Sequence, residues 1–353
     1  MEARGKYMAY VGSYSYNGRA KGITVFDVDV EKGTFIRRCE VEVDNSSYLT
    51  VAHSGKTLYS IADEGVVAFR IQPDGNLTRL NSAKIKGMRG CHLSTDREDK
   101  YVFVSGFHDG KITVLRLNED GSVGDIVDGV FHKGLGSVAE RNFRPHVTCG
   151  KRTPDGKYVM AADSGLDHVK IYRFNEKDEH LVQVDAIRCD LESAPRHFCF
   201  SKDGRFIYLM YEQKNVIDVF TYNSGDRVPE IEKIQTISTT GRKHNQLSAA
   251  CAIRFSSNQD YVYCGNAGDE TVSVYKRDRE TGLLTQLCCL PISGAYPKDI
   301  AVFPDDKHIA ALNHESGTIT FFSVDYEKGL LIMCSNEIRC NEPNCCALVK
   351  VAD

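Results

Sequence analysis

The chain contains no tryptophan among its 353 residues. Repeat architectures whose signature is built on that residue are therefore excluded. No stretch is apolar enough and long enough to cross a bilayer. The opening MEARGKYMAY leads straight into a strand-like run and lacks the apolar segment of a secretory signal. An excess of positive charge is also lacking. Lys and Arg number 44 against 48 Asp and Glu, a net charge of -4. Without a basic field, neither nucleic acid nor a membrane surface is expected as a partner, and any anion site must be local. Despite 13 cysteines there is no C-x-x-C pair. The adjacent pairs Cys288-Cys289 and Cys345-Cys346 would point to opposite faces of a strand. No zinc site, other metal or cofactor is expected. Phosphate-cradling glycine loops, nucleotide fingerprints and EF-hand loops are missing as well, as is any long segment with a 3.6-residue period.

What the chain has is a repeat. An apolar strand, a polar turn, a strand of type x-Y-h-x-h and a strand of type h-x-V-h-x-h follow one another (h apolar, x any residue). The clearest copies are HFCFSKDGRFIYLMYEQKNVIDVFTY (197–222) and AIRFSSNQDYVYCGNAGDETVSVYKRD (252–278). Others begin at His146 and His92, and weaker ones cover 48–71 and 299–324. Each is followed by a fourth strand-like run. Period-2 alternation, β-branched residues and Asp-Gly turns argue strand over helix. A spacing of roughly 45–55 residues suits one four-stranded propeller blade. The expected fold is all-β, a seven-bladed β-propeller of four-stranded blades forming one domain over 1–353.

The two ends are out of phase. MAYVGSY matches the second strand of a repeat, GITVFDVD the third and TFIRRCEVE the fourth. The missing first strand reads as NCCALVK near the C-terminus. The C-terminal strand is therefore expected to pair into the N-terminal blade, closing the ring and removing its open edges. The cysteines fall mostly within strand-like runs and read as buried, reduced thiols of a cytoplasmic protein.

Hairpin geometry sorts the polar residues. The start of each innermost strand and the end of the strand after it lie at the same rim of the channel. Starts contribute His92, Pro145-His146, Pro195-Arg196-His197 and Pro297-Lys298, whereas ends contribute Phe107-His108, Asp163, Glu212 and Asn266. Histidines, carboxylates and cations from several blades thus gather at one face. The opposing reading makes Arg196 and Glu212 an ion pair that staples its own hairpin. Asp163 to Asp167 reads as a turn-ordering segment, and His53 and His132 as surface or packing residues.

Several phrases carry a family resemblance: YVGSY with GITVF, NSSYL (45–49), RPHVT with TPDGKYV (144–159), and above all APRHFCFSKDGRFIYLMYE (194–212). The chain resembles the seven-bladed lactonase propellers of the 6-phosphogluconolactonase and carboxymuconate cyclase type over essentially its whole length. The resemblance implies an open-channel site built on His146, Arg196 and Glu212. His92, His197, Lys298 and Asn266 are expected nearby as binding residues. Lactone hydrolysis needs a base to activate water and a donor for the developing oxyanion. Glu212 or His146 suits the first role and Arg196 the second. The chain departs from the family at Ala267, where arginine is usual, at Lys298, where arginine is frequent, and at Gly106-Phe107 in place of Asn-Tyr. The expected function is hydrolysis of a small sugar lactone in the cytoplasm, with a small-molecule lactone or organic acid as the partner. The alternatives are a lactone-forming cyclase and a binding propeller without catalysis.

Overall fold

The computed structural model describes residues 5–136, 143–242, 244–245 and 247–352. Every regular element among them is a strand. They form seven antiparallel sheets, each a blade of four strands. Blade 1 is assembled from both ends of the chain. Pro343–Ala352 is its inner strand, followed outward by Lys6–Ser13, Gly22–Asp29 and Thr34–Glu42. The inner strands of blades 2 to 7 are Leu49–Val51, His92–Thr95, Val147–Arg152, Pro195–Phe200, Ala249–Phe255 and Pro297–Val302. Each touches the next, and Pro343–Ala352 touches both Pro297–Val302 and Leu49–Val51. The ring is closed as the phase of the repeats requires. In blade 7 the outermost position is shared by Leu330–Met333 and Ile338–Arg339, which pair in turn with Thr318–Asp325.

Burial follows position in the blade. The second strands Tyr158–Asp163 and Phe206–Tyr211 are buried at every residue, because neighbouring blades cover both their faces. Outer strands such as Glu230–Ser238 have one face on the core and one in water. The core is thus a set of apolar layers between blades. At the closing seam, Phe35 of blade 1 stacks on Phe303 of blade 7 at 5.3 Å and meets Phe321 edge-on at 5.2 Å. Contacts of this kind add to plain area burial.

The inner hairpins turn at the rim opposite the strand starts, and one device recurs there. Ser201 Oγ accepts the Phe206 amide at 3.0 Å and donates to Asp203 at 2.5 Å, and Gly204 takes φ of 74° to close the turn. Thr153, Asp155 and Gly156 repeat it in blade 4. These short polar side chains satisfy the turn amides locally. All thirteen cysteines are free thiols; Cys334 alone is exposed.

Candidate functional site

Four inner strands begin with a β-bulge: between Val147 and Cys149, Pro195 and His197, Ala250 and Ala252, and Pro297 and Asp299. A bulge sets two residues against one and breaks the strict alternation of faces. Adjacent residues can therefore share the channel. Arg196 and His197 both line one small cavity, as do Lys298 and Asp299. This cavity, about 100 Å³, opens at the rim of the strand starts, and Tyr14, Tyr48, Arg254 and Asn344 complete much of its wall.

At its edge, Arg196 Nη1 donates to Glu212 Oε2 at 2.5 Å. The two side chains are 28% and 18% exposed, so the pair is only partly withdrawn from water. Burial pulls the Arg196 pKa down, but the adjacent Glu212 carboxylate more than reverses this, and the guanidinium stays charged. Its Nε is buried without a partner among the described residues. An arginine has five N–H donors. A pair whose only role was to staple the hairpin would engage more of them. Glu212 is held in turn by its backbone, which accepts from the Ala250 amide and donates to the Ala194 carbonyl.

His146 sits on the next blade and does not touch the Arg196–Glu212 pair. Its Nδ1 lies 2.6 Å from the Phe107 carbonyl and its ring stacks on Phe107 at 4.2 Å. Because a carbonyl can only accept, Nδ1 carries a proton, and in the neutral ring Nε2 is then the acceptor. Asp163 positions this histidine by accepting its amide at 2.8 Å, along with the Gly165 and Leu166 amides. The other Asp163 oxygen meets buried His132 at 2.7 Å. The Asp163–Asp167 segment is thus a turn-ordering device, and His132 packs inside the fold.

His92 and His197 are brought together in the middle of the channel. Their rings lie 5.4 Å apart, with Tyr48 4.6 Å from His92 and 6.1 Å from His197. Burial pushes both imidazoles well below their ordinary pKa, so they are neutral. His92 lies below the cavity and His197 in its wall. Asn266 is placed elsewhere: it is fully buried and its carboxamide donates to the Thr239 carbonyl just after the outer strand of blade 5 and to Thr271 of blade 6. It is a structural staple and not part of the cavity wall, because the second-strand end it occupies turns into the blade.

Lys298 lines the cavity, with Nζ 3.3 Å from Asn344 Oδ1 and 5.2 Å from the Tyr14 ring centroid. Burial and then the positive charge of Arg196 lower its pKa from 10.5 to about 8. Between these values the unfolded chain binds more protons than the folded chain, so stability rises with pH across that window. Below pH 8 the buried ammonium weighs most against folding. Lys298→Met is expected to raise Tm by roughly 2–5 °C at pH 7, and the gain should shrink toward pH 10. Thermal melts at the two pH values check this.

Tyr14, Tyr48 and the pairing of Arg254 with Asp299 come from the structure; in the sequence Arg254 is a mid-strand cation that could stand in for the missing rim arginine, with no direction assigned to its side chain. Tyr14 ends a second strand and Tyr48 precedes an inner strand, so the rule applied to the histidines reaches them too. Arg254 closes on Asp299 through two bonds of 2.9 and 2.7 Å, and Asp299 also accepts the Cys346 amide at 2.9 Å. This brace ties blades 6, 7 and 1 together beneath the cavity. Ala267 is buried against Cys251, Ala252 and Tyr296, so no guanidinium reaches the rim from there. Among the described residues no group of three or more His, Cys, Asp or Glu is arranged to hold a metal ion.

Comparison with known proteins agrees with this fold. The family described as "Lactonase, 7-bladed beta-propeller" matches residues 8–348. A 6-phosphogluconolactonase of Bacillus subtilis is 30% identical over 346 residues, 96% of this chain and 97% of that protein. A 6-phosphogluconolactonase candidate from Bacteroides fragilis superposes with a TM-score of 0.88 at 28% identity, covering 99% of each chain. The periplasmic gluconolactonase of Pseudomonas aeruginosa shares the fold, with a TM-score of 0.91 at 24% identity over 98% of this chain and 99% of the other. With a match of this extent, a closed seven-bladed ring and the Arg196–Glu212 pair at its mouth, the chain belongs to the seven-bladed β-propeller lactonase family.

Proposed function

We propose that this chain is a carboxylic-ester hydrolase that opens a small sugar lactone in the cytoplasm. The observation that carries the reading is Arg196, a charged guanidinium with donors to spare, held beside Glu212 at the edge of an open polar cavity. In this reading Arg196 binds the lactone carbonyl oxygen and holds the negative charge that develops on it. Glu212 takes the proton of the attacking water. As the ring C–O bond breaks, the leaving oxygen takes a proton from the Lys298 ammonium. With a pKa of about 8, that ammonium is a stronger acid than an ordinary lysine and is still protonated at neutral pH. The tautomer of His146, with Nε2 as acceptor, supports a second reading in which this residue is the base. Free thiols throughout the chain support the cytoplasmic assignment.

The charge of the cavity bears on the substrate. Arg196 faces Glu212 and Arg254 faces Asp299, which leaves Lys298 as the lining cation without a carboxylate partner among the described residues. Nearby Arg89 is paired with Asp63. One uncompensated charge suits a neutral or singly charged lactone better than a phosphate dianion. Glucono-δ-lactone is therefore expected to be hydrolysed with a kcat/KM at least ~10-fold above that of its 6-phosphate, about 1.4 kcal/mol of transition-state preference. Proton release from each lactone measures it. Preference for the phosphate ester would overturn the charge argument, and no turnover of any lactone would overturn the hydrolase reading.

A further inference from the structure

The channel has a second mouth, at the rim of the inner-hairpin turns. A cavity of about 580 Å³ opens there, walled by blades 2 to 6 and reaching up to Tyr48, His92 and Arg254. Its size falls within the range of small-molecule sites, roughly 300–1,000 Å³. Five cationic side chains line it: Arg97, Lys151, Arg152, Lys202 and Arg254.

Two of the five are neutralised. Arg152 faces Asp96 and Glu176, each at 3.2 Å, and Arg254 is closed on Asp299. Asp96 is the carboxylate of the lining, and its remaining oxygen accepts the Lys100 and Tyr101 amides at 2.8 and 2.7 Å. The turn carboxylates Asp155 and Asp203 line a neighbouring groove together with Arg97 and Lys202, and accept from Thr153 and Ser201. Arg97 and Lys202 are exposed, with no side-chain partner among the described residues. Lys151 Nζ donates to the Phe198 carbonyl at 2.8 Å and keeps further N–H groups for a ligand. Three cations thus line one concave space without an ion pair among the described residues, with Asp155 and Asp203 across the adjoining groove, on a chain whose net charge is -4. Phe200, Phe255 and Val51 supply an apolar wall beside them.

We propose that this second mouth is a binding site for a sugar phosphate, with the phosphate on Lys151, Arg97 and Lys202 and the carbon frame against Phe200 and Phe255. Several charge-assisted hydrogen bonds to one phosphate give the affinity, and the apolar wall separates an organic phosphate from the free ion. The site is independent of the lactonase reading, since it shares only Tyr48, Arg254 and the channel axis with the first cavity.

Isothermal titration of the whole chain with glucose 6-phosphate, inorganic phosphate and glucose tests the proposal. Glucose 6-phosphate should bind more tightly than inorganic phosphate, glucose should give no heat, and added salt should weaken binding. Arg97→Glu combined with Lys202→Glu should lower the affinity roughly tenfold or more, about 1.4 kcal/mol. The same pair should leave lactone hydrolysis unchanged, and Arg196→Ala should leave the affinity unchanged. If the double variant does not fold, Lys151→Met supplies the same readout. No binding of glucose 6-phosphate, equal binding of inorganic phosphate, or loss of binding in Arg196→Ala but not at the second mouth would each overturn it.

Discussion

Arg196→Ala is expected to lower kcat/KM for a lactone by roughly a hundredfold or more, the scale of losing one preorganised oxyanion donor. The loss should fall mainly on kcat, because the developing oxyanion exists only in the transition state. Glu212→Gln keeps the size of the side chain and removes its charge. It should lose turnover to a similar degree if Glu212 is the base, and the loss should not be recovered at high substrate. Both changes also disturb the ion pair, so stability must be measured alongside. A partly buried pair contributes about 1 kcal/mol or somewhat more, and Tm should fall by only a few degrees. The Arg196→Ala, Glu212→Ala double variant separates the two roles. A mere staple would show a melting deficit shared between the partners and normal turnover. Full activity in both single variants on a lactone that the native chain hydrolyses would remove the pair from the chemistry. His146→Gln then decides the base, since it removes the Nε2 acceptor without touching the pair.

Ending the chain after Asn341 is expected to abolish folding. The lost segment contains Pro343–Ala352, which pairs with Lys6–Ser13 along its whole length. Its removal frees the edge of Lys6–Ser13 and strips the inner wall from the neighbouring blades, where Cys345 and Cys346 are buried. It also deletes the Cys346 amide that caps Asp299 and the Asn344 carboxamide beside Lys298. Several ladder hydrogen bonds at about 1 kcal/mol net each, with the seam packing, approach the whole stability of a domain, ~5–15 kcal/mol. The truncated chain should be insoluble, or soluble without a cooperative melt by circular dichroism. A soluble monomer with a Tm within a few degrees of the full chain would show that the ring does not depend on this closure.

The repeat was legible because a blade is a local object. HFCFSKDGRFIYLMYE shows its strands and turn through alternation and an Asp-Gly pair, and each is stabilised by residues close in sequence. The closing strand was legible for a similar reason, since NCCALVK supplies the one strand the first repeat lacks. Asn266 shows the limit. It lies one residue short of the counterpart of Glu212, in the register of Tyr211, so strand alternation turns it inward to Thr239 and Thr271. Arg254 shows another. Its partner Asp299 is 45 residues away on the next blade, and nothing in either segment names the other.

Sequence by itself determined the all-β class, the seven blades, the joined ends and the rim at which His146, Arg196 and Lys298 lie, because period and hairpin direction follow from backbone geometry. Tertiary structure decided which of those residues share a cavity. The bulges at the inner-strand starts turn Arg196 and His197, and Lys298 and Asp299, to the same side, where strict alternation would separate them. It also decided the charge left over at each mouth, because a cation's availability depends on which carboxylate packs against it across a blade boundary.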